Sequence, residues 1–308
     1  MQKKDFFLIS NSNDLFQELK KILPEANWSI FERGTGAIEY LFNSPPGLLL
    51  IDSAIKDISA FELVGLFKSE NVYRQVPVVL ILNQNELKSI NFCHLEADDF
   101  ILKPINPTIV EPRLHLVLSR AARALDANPL TKLPGNTSII QKIQSLIDQK
   151  KEFALAYVDL DYFKSFNDKY GFSRGDEVLM MTARIIVNTI RAFGGQNSFV
   201  GHVGGDDFVF IVSPQKVEQA CKMIISSFDS IVPNFYDPKD RENGYIRSTD
   251  RQGNIREFPF MAISIAVVFN YGQLKHYGEA AQIAMNLKKI AKENPKSCYV
   301  LDRRKPTN

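Results

Sequence analysis

A chain of 308 residues, 45% apolar and 23% charged, has a globular composition and the length of two domains, each able to bury its own core. The net charge of +2 gives no electrostatic basis for binding nucleic acid or a membrane surface. Cys93, Cys221 and Cys298 are scattered and lack metal-ligand spacing, which excludes a disulfide framework and fits a reducing compartment. The apolar run within MQKKDFFLISNSND is too short for a signal peptide. No run approaches the roughly eighteen residues that a membrane span requires, so a cytoplasmic protein is expected.

The first 105 residues alternate strand and helix patterns: FFLIS, LFQELKKIL, WSIF, GAIEYLF, LLLID, FELVGLF, VPVVLIL, ELKSINF and DDFIL. Five strands with intervening helices predict a doubly wound parallel sheet over residues 1–106, with function at the carboxyl ends of the strands. This part resembles a response-regulator receiver domain. Asp52 ends the third strand where that family carries its phospho-acceptor, and Lys103-Pro104 matches the Lys-Pro after the fifth. The resemblance implies an upstream kinase or a protein partner. Two positions depart from the pattern: Ser10 and Asn11 stand where an acidic pair would hold Mg²⁺, and Leu82-Asn83 where a switch hydroxyl would lie. Neutral side chains do not supply the charge that Mg²⁺ needs. The expectation is a degenerate receiver that serves as a dimerisation or partner-binding module, with Asp52 and Lys103 kept as an ion pair; the alternative is residual phosphorylation, with Asp52 as the phospho-acceptor beside Lys103.

Residues 107–128 read as a connecting helix. In PTIVEPRLHLVLSRAARAL, Val110, Leu114, Val117, Leu118, Ala121 and Leu125 share one face, and Pro112 lies near the start, where proline is tolerated. The first half suits either its own sheet or a second copy of the helix; the second half suits pairing across a two-fold axis. The prolines and glycine of DANPLTKLPG then mark a boundary, and residues 129–308 form the second domain. A helix over Thr137–Gln149 leads to a strand over Phe153–Leu160.

The chemistry gathers in two stretches of this second domain, AYVDLDYFKSFNDKYGFSRGDEVL and GHVGGDDFVFI. Each contains an apolar strand that presents carboxylates at a turn or end, Asp159 and Asp161 in one, Asp206 and Asp207 in the other. Gly204 and Gly205 supply the positive φ angles of a tight hairpin and let a ligand approach the backbone. Two aspartates on neighbouring strands suit Mg²⁺, a hard cation that completes its shell with substrate phosphates. Lys164 suits those phosphates, and Asn167 with Asp176 offers the donors and acceptors that read a purine edge.

DLDYFKSFNDKYGFSRGDEVL followed by VGGDDFVFI resembles the GGDEF family of diguanylate cyclases, over about residues 129–304. The resemblance implies an α/β nucleotidyl-cyclase-like fold with a mainly antiparallel central sheet. It implies a reaction that condenses two GTP into cyclic di-GMP, with one nucleotide held by each half of a homodimer. Carried over by position, Asp159, the Leu160 carbonyl and Asp206 bind Mg²⁺, with Mn²⁺ as an alternative. Asn167 and Asp176 hold guanine, and the Phe163 N–H and Lys164 meet phosphates. Asp207 takes the place of the usual Glu next to the 3′-hydroxyl and is the candidate base, with Lys164 stabilising charge in the transition state. AKENPKS resembles the family's A-K-x-x-G-R-N, which implies that Lys292 and Lys296 grip the triphosphate.

Several positions differ from the family's pattern. Asn128 stands for its leading Asp, His202 for an Arg and Phe172 for a His. Gly195-Gln196-Asn197-Ser198 replaces an inhibitory R-x-x-D, so no product inhibition is expected there. A second function of another class is compatible with these changes: a catalytically impaired protein that binds GTP and signals through protein contacts. Between Phe228 and Val268 the chain is longer than the family pattern. YDPKDREN there reads as a surface loop, followed by a hairpin turning near Arg251-Gln252-Gly253-Asn254. A helix over Gly278–Asn294 and a strand over Cys298–Leu301 close the domain.

Overall fold

The computed structural model describes residues 5–70, 73–193, 195, 197–249 and 254–302. The chain divides into two compact units, Met1–Leu125 and Asp126–Asn308. Among the described residues no helix is long and apolar enough to cross a membrane.

The first unit runs β1 (Asp5–Ile9), α1 (Asn13–Ile22), β2 (Asn27–Phe31), α2 (Gly34–Asn43), β3 (Leu48–Asp52), α3 (Ala60–Ser69), β4 (Val78–Asn83), β5 (Asp99–Lys103) and α4 (Pro107–Asp126). All pairings are parallel, in the order β2-β1-β3-β4-β5, which is the doubly wound arrangement expected for a receiver-like unit. Both faces are covered, so the strands carry continuous apolar runs. Phe6, Leu8, Leu48 and Leu50 pack under α1 and α4, while their alternates Phe7, Ile9, Leu49 and Ile51 pack under α2 and α3. Val110, Leu114 and Val117 of α4 are buried against this sheet, so the first half of that helix is occupied by its own unit. Leu116 and Leu125 remain exposed.

ELKSINF does not form a helix. Two 3-10 turns, Gln84–Lys88 and Phe92–His94, replace it. Glu86 folds back to accept from the Asn83 N–H and from Ser53 Oγ, which closes a tight turn before a helix can propagate.

The second unit runs α5 (Asn136–Asp148), β6 (Phe153–Asp161), α6 (Phe163–Tyr170), α7 (Phe172–Phe193), β7 (Phe199–Gly204), β8 (Asp207–Val212), α8 (Val217–Ile231), α9 (Pro238–Asn243), β9 (Tyr245–Thr249), β10 (Ile255–Pro259), β11 (Ala262–Asn270), α10 (Tyr277–Ala291) and β12 (Cys298–Leu301). Its sheet has the order β12-β11-β6-β8-β7 and is antiparallel except for the pair β11–β12. The period of two in β6 divides the core. Ala154, Ala156, Val158 and Leu160 face the cluster with α7 and α8, while Phe153, Leu155 and Tyr157 face the cluster with α5 and α10.

Asp126 fixes the start of α5 from ten residues upstream. Its carboxylate accepts from the backbone N–H groups of Gly135, Thr137 and Ser138. Burial raises its pKa, but the hydrogen bonds from Ser138 and Thr137 outweigh this and hold the carboxyl below its usual range. Asp126→Ala is expected to lower stability by about 1 kcal/mol, the worth of a helix cap. A folded pKa below the unfolded value makes this contribution present above the unfolded pKa. It is lost as pH falls through the folded value. Urea melts at neutral pH and at pH 3 check it: the gap between variant and wild type narrows in acid.

The stretch YDPKDREN, expected as a loop, contains the helix α9, with Pro238 at its first turn. The expected hairpin forms from β9 and β10, which pair antiparallel. Arg251, Gln252 and Gly253 of its expected turn lie outside the described residues.

Candidate active site

The acidic cluster follows from register. Asp159 continues the face of β6 that carries Phe153, Leu155 and Tyr157, and it pairs directly with Asp207, the first residue of β8. Directly opposed residues of an antiparallel pair project to the same face. Both carboxylates are thereby turned toward the side covered by α10. Asp206 sits in the turn before β8, where Gly204 and Gly205 have φ of 148° and 57°. These left-handed angles are strained for a residue with a Cβ. One ligand oxygen from each of Asp159, Asp206 and Asp207 lies within 4.8 Å of the other two, a set that could hold a metal ion.

The cluster is held by lysines of α10. Lys288 Nζ is 2.6 Å from Asp159 Oδ2 and also contacts Asp207 Oδ1. Lys292 Nζ is 2.7 Å from Asp159 Oδ1. Burial alone would raise the pKa of Asp159, but the two lysines outweigh it and keep the carboxyl ionised below its usual range. Burial and the neighbouring Asp159 charge push Asp206 upward. Asp207 is also raised, by burial and by Asp159 against the opposing pull of Lys288. Asp161, two residues beyond Asp159, accepts from Ser264 Oγ.

Lys288 is a residue that sequence reasoning missed. The lysines expected to act together were Lys292 and Lys296, spaced four apart. The helix ends at Ala291, so the four-residue spacing runs the other way, to Lys288. Lys296 is exposed beyond the helix, its backbone N–H bonded to Asn294 Oδ1.

On the other side of the cluster the chain leaves β6 through Tyr162, whose φ of 63° turns it into α6. Phe163 is therefore the first helical residue, with a buried ring and an N–H at the helix start. Lys164 is exposed one residue on, and Asn167 follows, half-buried. Asn167 lies against Gly175 of α7: a Cβ on that glycine would stand 1.9 Å from Asn167 Oδ1. Gly175 is followed in the chain by Asp176, which is exposed. Asn167 Oδ1 is buried and lacks a hydrogen-bond partner among the described residues. Phe172, the first residue of α7, is 79% exposed.

The residues that depart from the expected pattern form a network of their own. His202 is buried, stacked on Phe208, with Nε2 2.9 Å from the Gly205 carbonyl and Nδ1 3.0 Å from Thr131 Oγ1. A carbonyl only accepts, so Nε2 carries the hydrogen, and the neutral ring accepts from the Thr131 hydroxyl. Burial depresses its pKa more than Gly205 and Asp207 raise it. Asn128 Oδ1 accepts from the N–H groups of Leu130 and Thr131. The opening segment is thus tied to the glycine turn by neutral groups. Gln196, within the segment Gly195–Ser198, lies outside the described residues.

The long excursion after α8 is fastened to α6 and α7. The Tyr170 hydroxyl donates to Asp240, Lys169 Nζ is 2.6 Å from the same carboxylate, and Arg174 is 2.9 Å from Asp237. Tyr236 and Phe166 meet edge to face, and Ile246 joins their core.

In the first unit Asp52 is 1% exposed. Oδ1 accepts from Lys103 Nζ at 2.5 Å and from the Ala54 N–H at 3.0 Å, and Oδ2 from Ser10 Oγ at 2.7 Å.

Residues 125–246 match the family described as the diguanylate cyclase GGDEF domain. The chain carries a GGDEF domain. It is 22% identical over 197 residues to the response regulator PleD of Caulobacter vibrioides, covering 58% of this chain and 42% of that protein. It is 30% identical over 136 residues to the diguanylate cyclase DgcN of Escherichia coli, covering 43% of this chain and 32% of DgcN. The chain thus spans less than half the length of these curated relatives. Among solved structures, the GGDEF domain of TpbB (YfiN) from Pseudomonas aeruginosa aligns with a TM-score of 0.42 at 19% identity, over 56% of this chain and 92% of that one. The chain thus has a receiver-like parallel sheet in its first unit and a match to the GGDEF domain over residues 125–246.

Proposed function

We propose that this protein condenses two molecules of GTP into cyclic di-GMP and two pyrophosphates. The observation that carries the reading is the register of β6 on β8, which opposes Asp159 to Asp207 and sets Asp206 in the turn beside them. The carboxylates suit a hard divalent cation, Mg²⁺ or Mn²⁺, held by Asp159, Asp206 and the Leu160 carbonyl. Such an ion would neutralise charge on the triphosphate. Asn167 and Asp176 take the guanine edge, and the buried Asn167 carbonyl receives there the N–H that it otherwise lacks. The Phe163 N–H, Lys164 and Lys292 meet phosphates. Lys296, exposed past the helix, joins them through the outer phosphates or not at all. Asp207 accepts the 3′-hydroxyl proton as that oxygen bonds to the α-phosphorus of the other nucleotide, and the bond to pyrophosphate breaks.

Each GGDEF domain holds one nucleotide, so two copies must face each other, and we propose that the receiver-like unit with α4 governs that encounter. Purified protein incubated with GTP and Mg²⁺, with Asp206→Ala as control, tests the reading. Product that disappears in the control supports it. No product across a wide range of protein concentration, with GTP still bound, overturns it. That second outcome favours an impaired, GTP-binding signalling protein, a reading to which the Lys288 contact on Asp207 lends weight.

The receiver-like unit acts without phosphorylation in this reading. Both oxygens of Asp52 are buried and occupied by Lys103, Ala54 and Ser10, which leaves neither exposed for attack on a phosphoryl donor. Incubation with acetyl phosphate and Mg²⁺ is expected to give no mass increase of the intact chain.

A further inference from the structure

Lys288 sits in the acidic cluster as a cation sits among its ligands. Its ammonium touches the two carboxylates that strand register opposes, at 2.6 Å from Asp159 Oδ2 and in contact with Asp207 Oδ1. Its side chain is 25% exposed, against 46% for Lys292. α10 presses close on its neighbours through Ala280, Ala284 and Ala291, all buried, and this holds Lys288 over the carboxylates. An ammonium and a divalent cation make the same demand on these atoms, the lone pairs of carboxylate oxygens. The charge count points the same way. Asp159, Asp206 and Asp207, with Asp161 3.9 Å from Lys292, make four carboxylates facing two ammonium groups, so the ionised cluster offers two net negative charges to an incoming ion, and would offer three without Lys288.

We propose that Lys288 is a resident counter-ion that competes with the divalent cation for Asp159 while it neutralises Asp207 beside it, so that metal enters as the ammonium withdraws. Lys288, together with the carboxylates, then sets the metal concentration at which the site fills. This rests on the reading of the acidic cluster as a metal site.

The experiment is a Mn²⁺ titration of the full chain without nucleotide, at fixed pH and ionic strength, with free Mn²⁺ read by electron paramagnetic resonance. Lys288→Met is expected to bind Mn²⁺ at least about tenfold more tightly than wild type, since a positive charge in contact with the ligand Asp159 and with Asp207 beside it is removed. Lys288→Gln, which keeps a polar head should the methionine variant fail to fold, is expected to shift in the same direction. Lys288→Arg, which keeps the charge, and Lys289→Met, on the exposed side of the helix, are expected to stay within about threefold of wild type. Equal or weaker binding by both neutral Lys288 variants, with Asp206→Ala abolishing binding in each, would overturn the competition and leave the metal site standing. No Mn²⁺ bound by any of these proteins would overturn both.

Discussion

Asp159→Asn is expected to reduce cyclic di-GMP formation at least about a thousandfold, a change of roughly 4 kcal/mol in barrier height. The substitution preserves shape and burial but removes the charge at the centre of the cluster. Asp159 is 4% exposed and pairs with Lys288 and Lys292, so nothing in solvent can replace it. The two lysines are left with Asp207 and Asp161, and like charges on one helix face then lack their shared partner. Chromatographic assay under saturating GTP checks the prediction, with a thermal melt to show that the fold is kept. Activity within tenfold of wild type would remove Asp159 from the catalytic machinery.

Gly175→Ala is expected to separate nucleotide binding from stability. In a helix interior the change from glycine to alanine is worth up to about 1 kcal/mol in favour of folding. Here the new Cβ would lie 1.9 Å from Asn167 Oδ1 and 2.9 Å from its Cγ, so the amide must move aside. The melting temperature is therefore expected to change little, while GTP affinity falls about thirtyfold or more, or about 2 kcal/mol for the lost amide contacts. Calorimetric titration with GTP alongside a melt reads both quantities. Unchanged affinity would mean that Asn167 does not read the base.

The two halves of the acidic cluster were legible because each is local. A period of two puts Asp159 on the face of Leu155 and Tyr157, and two glycines demand a tight turn beside Asp206 and Asp207. The resemblance implied that the halves meet, and the register of β6 on β8 opposes Asp159 to Asp207. The same holds for the parallel sheet of the first unit, where continuous apolar runs announce strands covered on both faces. What was not legible depended on where elements stop and on contacts far apart in the chain. A spacing of four residues is equally good toward Lys296 and toward Lys288, and only the end of α10 at Ala291 decides between them. YDPKDREN is polar throughout and carries no sign that Asp237 and Asp240 meet Arg174, Lys169 and Tyr170, more than sixty residues earlier. In ELKSINF the apolar residues suit a helix, but the bonds from Glu86 to Ser53 and to the Asn83 N–H fold it into a tighter turn.

The fastening of the excursion to α6 has a consequence for how such a protein changes over generations. Asn167 rides on a helix of eight residues whose last member, Tyr170, is gripped by Asp240 and packed on Tyr236. If the proposed function holds, drift around Tyr236 and Asp240 would shift that short helix and so retune the affinity for GTP, while the carboxylates of the acidic cluster need not change at all. Sensitivity and reactivity would then be written in separate parts of the chain, and selection could edit one while leaving the other intact.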